Sequence, residues 1–154
     1  VIAEMTIRDA RPADAGRIIE MGRTFLLNGP YCEQLEDVPE QFYRFVEALF
    51  VNPSAKILVY EDNGVHGVFA FVLVPHYLSG EQIATELIWY VEPEHRGKAS
   101  LELLWAAERM AYEMGAKRMQ LTAPTESVGE IYKRCKYTLV EVGYQAKLSD
   151  RVKH

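Results

Sequence analysis

The sequence predicts a single α/β domain over residues 1–154. Its central sheet is mixed and mostly antiparallel, flanked by helices, with the order β-α-α-β-β-β-α-β-α-β. Three observations lead there. The β-rich runs "AKILVYED" and "VHGVFAFVLV" flank Asn63-Gly64, a strong two-residue hairpin signal, and a third run, "QIATELIWYV", follows shortly after. Residues 98–114 then carry Leu103, Ala106, Ala107, Met110 and Met114 at helical spacing, closed by Gly115. Finally "AKRMQLTA" reads as a strand, and strand, helix, strand in succession implies a parallel pair with a right-handed crossover.

The remaining elements follow in order. "EMTIRDA" alternates as a first strand, and "RPADAGRIIEMGRTFLLNG" reads as a helix started by Pro12 and Asp14 and stopped by Gly29 and Pro30. "YCEQLED" reads as an irregular connection. "PEQFYRFVEALFVN" is a second helix, with Phe42, Phe45, Val46 and Leu49 on its apolar face. "TESVGEIYKRCK" is a short last helix, and "YTLVEVGYQAKL" is expected to form a final strand or bent strand pair.

Composition narrows the function. The chain is 49% hydrophobic and 25% charged, ordinary for a water-soluble globular protein. A formal net charge of −5 argues against a broad nucleic-acid surface but allows a small basic pocket for one phosphorylated ligand. No apolar run reaches the roughly 18 residues of a membrane span, so no membrane partner is expected. No charged-then-apolar start resembles a signal peptide. Cys32 and Cys135 form no CxxC pair and fit two idle thiols in a reducing, cytoplasmic setting. No His/Asp/Glu spacing suggests a metal.

The chemistry concentrates in "YVEPEHRGKAS", residues 90–100, where a strand runs into a helix through a basic, small-residue turn. The first N–H groups of a helix lack partners and carry partial positive charge, which suits a phosphate if the backbone can approach closely. Gly97, Ala99 and Ser100 keep the turn small, and Arg96 and Lys98 add charge. A plain β-to-α connection explains the same residues. Neither a GxxxxGK[ST] nor a GxGxxG pattern is present.

The order of elements around "VEPEHRGKASLELLWAAERMAYEMGAKRMQL" resembles the GCN5-related N-acetyltransferase (GNAT) superfamily. Members often read V-x-P-x-x-R-G-K after the fourth strand, matched here by Val91, Pro93, Arg96, Gly97 and Lys98. "IYKRCKY" is similar to a later segment of the family. Read without a gap, the family's two small positions fall on Ala99 and Leu101. Deleting one turn residue makes Ala99 and Ser100 the small pair, and that reading keeps the phosphate approach open. Thr125 and Lys136 depart from a common Asn and Gly.

The resemblance implies a ternary complex. Acetyl-CoA, as co-substrate, would rest its pyrophosphate on the N–H groups of residues 96–101 (Arg96, Gly97, Lys98, Ala99, Ser100 and Leu101). Its pantetheine would pair with Trp89, Tyr90 and Val91. A small-molecule or peptide amine would attack the thioester directly. An alkylammonium has a pKa of about 10.4, so a base helps. Glu86 is the candidate, in a mostly apolar strand with Ala84, Ile88 and Tyr90 on its face by alternation. An exposed or ion-paired glutamate explains it equally. Tyr132 matches the family tyrosine that protonates the leaving thiolate. A core tyrosine, spaced with Val128, is the plainer reading.

His66, His76 and Tyr77 read as ordinary strand and loop residues, and "QFYRF" as core and pocket wall. Glu33, Glu36, Asp37 and Glu81, in segments expected to shape the acceptor pocket, lean towards a cationic acceptor. Two other classes stay open: a non-catalytic CoA-binding or regulatory module on the same fold, and an interaction protein that binds no CoA. The final strand offers a surface for a possible homodimer.

Overall fold

The computed structural model describes residues 6–152. Five strands form one sheet in the order β1-β2-β3-β4-β5. They are β1 (Thr6–Asp9), β2 (Ala55–Glu61), β3 (Val65–Pro75), β4 (Gln82–Val91) and β5 (Arg118–Gln120). The first four pair antiparallel, and β4 pairs with β5 in parallel. The helices are α1 (Ala15–Asn28), α2 (Pro39–Val51), α3 (Lys98–Glu113) and α4 (Glu126–Arg134). Glu4 and Met5, read as the start of the first strand, lie outside the described residues.

The sheet has a core on each face. On one side, α3 packs Leu103, Leu104, Ala107 and Ala111 against Leu58, Phe69, Phe71 and Val91. On the other, α1 and α2 pack Ile18, Met21, Val46 and Leu49 against Ile57, Val59, Val68 and Ala70. Both faces of the central strands are thus buried, which is why β2 and β3 read as apolar runs rather than as an alternation.

Two expectations need correction. The hairpin forms at Asn63-Gly64, with φ of 52° and 114°. However, Glu61 pairs with Val65, so the connection spans three residues and the register shifts beside it. The expected final strand does not form: residues 138–147 run without regular structure, and Leu139, Val140, Val142 and Tyr144 are exposed. β-propensity needs a partner edge to act on. The neighbouring edge here is β5, which offers only three residues.

Candidate functional site

The site begins where the sheet comes apart. β4 pairs with β3 along its whole length, but with β5 only through Ile83↔Arg118, Ala84↔Met119 and Thr85↔Gln120. From Glu86 to Val91 its other edge carries no strand. A bulge sits at the same point: Ala70 pairs with Ile88 and Phe71 with Glu86, leaving Leu87 extra. A bulge bends and twists its strand, and so re-aims the side chains beside it.

That bulge overturns the alternation expected around Glu86. Glu86 pairs with Phe71, and Ala84 lies in the same core, on the α3 face. Beyond the extra residue it is Trp89 and Val91 that pack on this face. Ile88 and Tyr90 pack on the α1/α2 face. Glu86 therefore stands at the mouth of the opening between β4 and β5, beside Trp89 rather than Tyr90.

Glu86 and Tyr132 converge on one residue just past β5. The Glu86 carboxylate accepts from the backbone N–H of Thr122. The Tyr132 hydroxyl donates to the Thr122 carbonyl at 3.1 Å. Tyr132 is held from behind by Trp89, whose ring stacks on it at 5.6 Å and 12°, with Phe69 packed against Trp89 at 5.5 Å. Burial pushes the Glu86 carboxyl up from 4.5 to about 7, and the Thr122 N–H offsets only part of that. Burial, then the nearby Glu86 and Tyr31, hold the Tyr132 phenol well above its ordinary range, so it stays protonated.

Tyr31 escaped the sequence reading. It stands in a 3-10 turn (Pro30–Glu33) inside the segment read as an irregular connection. Phe25 packs on it at 5.8 Å and on Tyr90 at 6.5 Å, bringing the α1–α2 connection to the side of β4. Only Pro30, which starts that turn, hinted at local order.

The turn after β4 is built as an N-terminal cradle. A 3-10 turn, Pro93–His95, leads to Gly97, which caps α3 with φ 102° and ψ −112°. This conformation favours glycine. The first α3 amide to reach the carbonyl four residues back is Leu101, which donates to Gly97 at 3.2 Å. Among the described residues, nothing accepts from the N–H groups of Gly97, Lys98, Ala99 or Ser100. Leu101, named with this group from the sequence, spends its N–H inside the helix.

The side chains divide the work. Arg96 donates to the Val91 carbonyl at 2.7 Å and lies over the Tyr90 ring at 5.5 Å, clamping the turn to the strand end. Lys98 is exposed, 3.5 Å from Glu102. Ala99 is buried in the α3 core, so only its backbone faces the turn.

Other candidates fall away from this centre. His76 and Tyr77 stack on each other at 4.8 Å in the β3–β4 connection, with Tyr77 exposed. Asp37 is paired with Arg23 at 2.6 Å and Glu81 with Arg118 at 2.9 Å, which spends half of the acidity read as an acceptor signal. Two surface grooves lie elsewhere. One of about 380 Å³ lies between β1 and α3 beside Trp105, and one of about 350 Å³ between α1 and α2 beside Tyr43. Neither is lined by Glu86 or Tyr132. Among the described residues, no group of three or more His, Cys, Asp or Glu is arranged to hold a metal, and no helix is long and apolar enough to cross a membrane.

The model of the acetyltransferase (GNAT) family matches residues 19–137, most of the chain. The chain belongs to the GNAT family. No curated protein matches it in sequence. Solved structures agree on the GNAT fold. A "predicted acetyltransferase" of Clostridium acetobutylicum with acetyl-CoA superposes with a TM-score of 0.79 at 18% identity, over 97% of this chain and 99% of that one. AAC(6')-Iy with a CoA-containing bisubstrate analogue gives 0.75 at 13% identity, over 94% and 99%. A transcriptional regulator of Bacillus halodurans gives 0.74 at 20% identity, over 94% and 99%. At these identities the likeness concerns the fold, and the GNAT assignment rests on the family model.

Proposed function

We propose that this GNAT protein transfers the acetyl group of acetyl-CoA to an amine by direct attack in a ternary complex. The observation that carries the reading is the convergence of Glu86 and Tyr132 on the Thr122 peptide, at the point where β4 and β5 part. The free amides of Gly97 to Ser100 supply the pyrophosphate cradle, and the open edge from Trp89 to Val91 supplies pairing for the pantetheine arm. The acetyl-CoA and bisubstrate complexes among the structural neighbours support CoA as the class of ligand.

The side chains suit the steps. Glu86, held at about 7, is half ionised at neutral pH and takes one proton from the acceptor ammonium. The freed amine attacks the thioester carbon. The C–N bond forms, the C–S bond breaks, and the nitrogen sheds a second proton, which ends on the sulfur. A phenol held far above a thiol's range does not give its proton away outright. Tyr132 instead steadies the leaving sulfur as a hydrogen-bond donor, after turning from the Thr122 carbonyl. The buried Glu86 carboxylate adds to the part of the loop acidity that is not already paired in favouring a cationic acceptor.

Release of CoA thiol in the presence of an amine panel tests the reading. Glu86→Gln is expected to lower kcat by about 10²–10³, leaving KM for acetyl-CoA near wild type. The sign of the pH effect follows from the raised carboxyl. The ionised form is the base, so wild-type kcat/KM falls tenfold per unit below about pH 7. Glu86→Gln should lose that limb.

One observation favours a second reading, a non-catalytic CoA-binding module: the Tyr132 proton is already engaged by Thr122. Tight CoA binding with no turnover on any amine would select it.

A further inference from the structure

α4 has little of its own to hold it in place. Of its nine residues only Tyr132 is buried. Among the described residues, the other side-chain hydrogen bonds of α4 stay within the helix and its cap: Lys133 with Glu130, and Thr125 with Ser127 and Val128. β5, which leads into it, joins the sheet through three residue pairs. Yet this helix carries the hydroxyl that is to meet the leaving sulfur.

A bond made just past its end fixes it. The Tyr137 hydroxyl donates to Glu108 Oε2 on α3 at 2.6 Å, the length of a hydroxyl bonded to a carboxylate. The Tyr137 ring packs, with Cys135, against the α3 core. Burial, then the bond to Glu108, hold the phenol above its ordinary range, so the hydroxyl stays a donor. The Tyr137 N–H in turn donates to the Tyr132 carbonyl at 3.0 Å. Two hydrogen bonds thus run in series from α3 to the backbone of Tyr132. A phenylalanine would fill the apolar part of this place as well as a tyrosine does. A buried hydroxyl is costly unless it is bonded, and Glu108 receives this one. α3 is continuous from the cradle to Glu108, about 15 Å of helix from Lys98. Its start carries the free amides and its far half holds Tyr137, so both are referred to one rigid rod.

We propose that Glu108 and Tyr137 are positioning residues that lock α4 to α3, and so set Tyr132 at the distance from the coenzyme cradle that the leaving sulfur requires. The proposal rests on the role given to Tyr132 above. Glu108 and Tyr137 act through Tyr132 and touch no reacting atom.

The test is steady-state release of CoA thiol with an amine that wild type turns over. Tyr137→Phe keeps the ring and loses the bond. It should lower kcat about tenfold and leave KM for acetyl-CoA within about twofold, as expected of a small misplacement of a reacting group. Glu108→Ala should do the same, and the double variant should lose no more than either single one. Glu108→Gln keeps an oxygen to accept the hydroxyl and should stay within about threefold of wild type. The decisive arm uses Tyr132→Phe. With no hydroxyl left to place, adding Tyr137→Phe should lower kcat less than about twofold, whereas a merely structural role would cost the same in both backgrounds. A Tyr137→Phe kcat within twofold of wild type overturns the proposal. So does a tenfold fall that persists in the Tyr132→Phe background, or a matching rise in KM for acetyl-CoA. If Tyr137→Phe fails to fold, Glu108→Ala, which leaves the ring in place, is read by the same criteria. No turnover by wild type on any amine overturns the transfer reading and this proposal together. Turnover that is indifferent to Tyr137→Phe overturns this proposal alone.

Discussion

Lys136 shows how one residue can be wrong for its place and still be tolerated. It follows α4 with φ 71°, in the left-handed region. Its N–H bonds to Lys133 and that of Tyr137 to Tyr132, the paired bonds of a Schellman end. α3 ends the same way at Gly115, with φ 100°, its N–H bonding to Tyr112 and that of Ala116 to Ala111. The departure noted in the sequence, lysine for glycine before Tyr137, thus falls on a left-handed helix end. Left-handed strain costs a lysine about 1–2 kcal/mol, and glycine's extra unfolded-state entropy takes back about 0.5–1. Lys136→Gly should therefore stabilise the protein by about 0.5–1 kcal/mol in urea unfolding. Lys136→Ala, which still pays for its Cβ, should gain nothing. Glu86 was legible for a different reason: a carboxylate in an apolar strand calls for an explanation wherever the strand lies. Tyr31 was not, because its place depends on how a connection folds back over Phe25.

At the scale of elements, periodicity found the helices to within a few residues, because their apolar faces report burial directly. It found β4 as well, but assigned one face wrongly. A bulge is set by the partner strand, and nothing local in "TELIWY" marks Leu87 as the extra residue. The final strand failed for a related reason: its alternation is real, but a strand also needs an edge. The seat of α3 on β3 offers a sharper test of packing. A Cβ on Gly67 would meet Leu103 Cδ1 and Val91 Cγ2 at 3.1 Å and Tyr60 Cβ at 3.2 Å. Gly67→Ala should therefore push α3 off the sheet and destabilise by about 1–3 kcal/mol in urea unfolding. Gly16→Ala, whose added methyl meets nothing within 4 Å, is the matched control and should not destabilise.

The whole molecule is unevenly tied. β1 to β4 share long antiparallel ladders and two buried cores, whereas β5 joins through three residue pairs. A ligand spanning the parting would hold the α3 start and the β5–α4 side at once, so it should stabilise the fold and slow amide exchange over residues 118–134. At a hundredfold excess over its Kd, a ligand that binds only the folded state adds about 2.7 kcal/mol. For a chain of this size that raises Tm by about 5–10 °C. Gly97→Ala separates the cradle from the rest of the fold. Nothing lies within 4 Å of the added methyl, so no neighbour is displaced, but φ 102° strains any residue with a Cβ. The ligand-free variant should lose about 1–3 kcal/mol from that strain. Its free amides would be turned from the positions that receive a pyrophosphate, so the CoA-induced rise in Tm should disappear. A rise that survives Gly97→Ala at full size would mean that CoA is held elsewhere. No rise in wild type at millimolar CoA would count against the coenzyme reading itself.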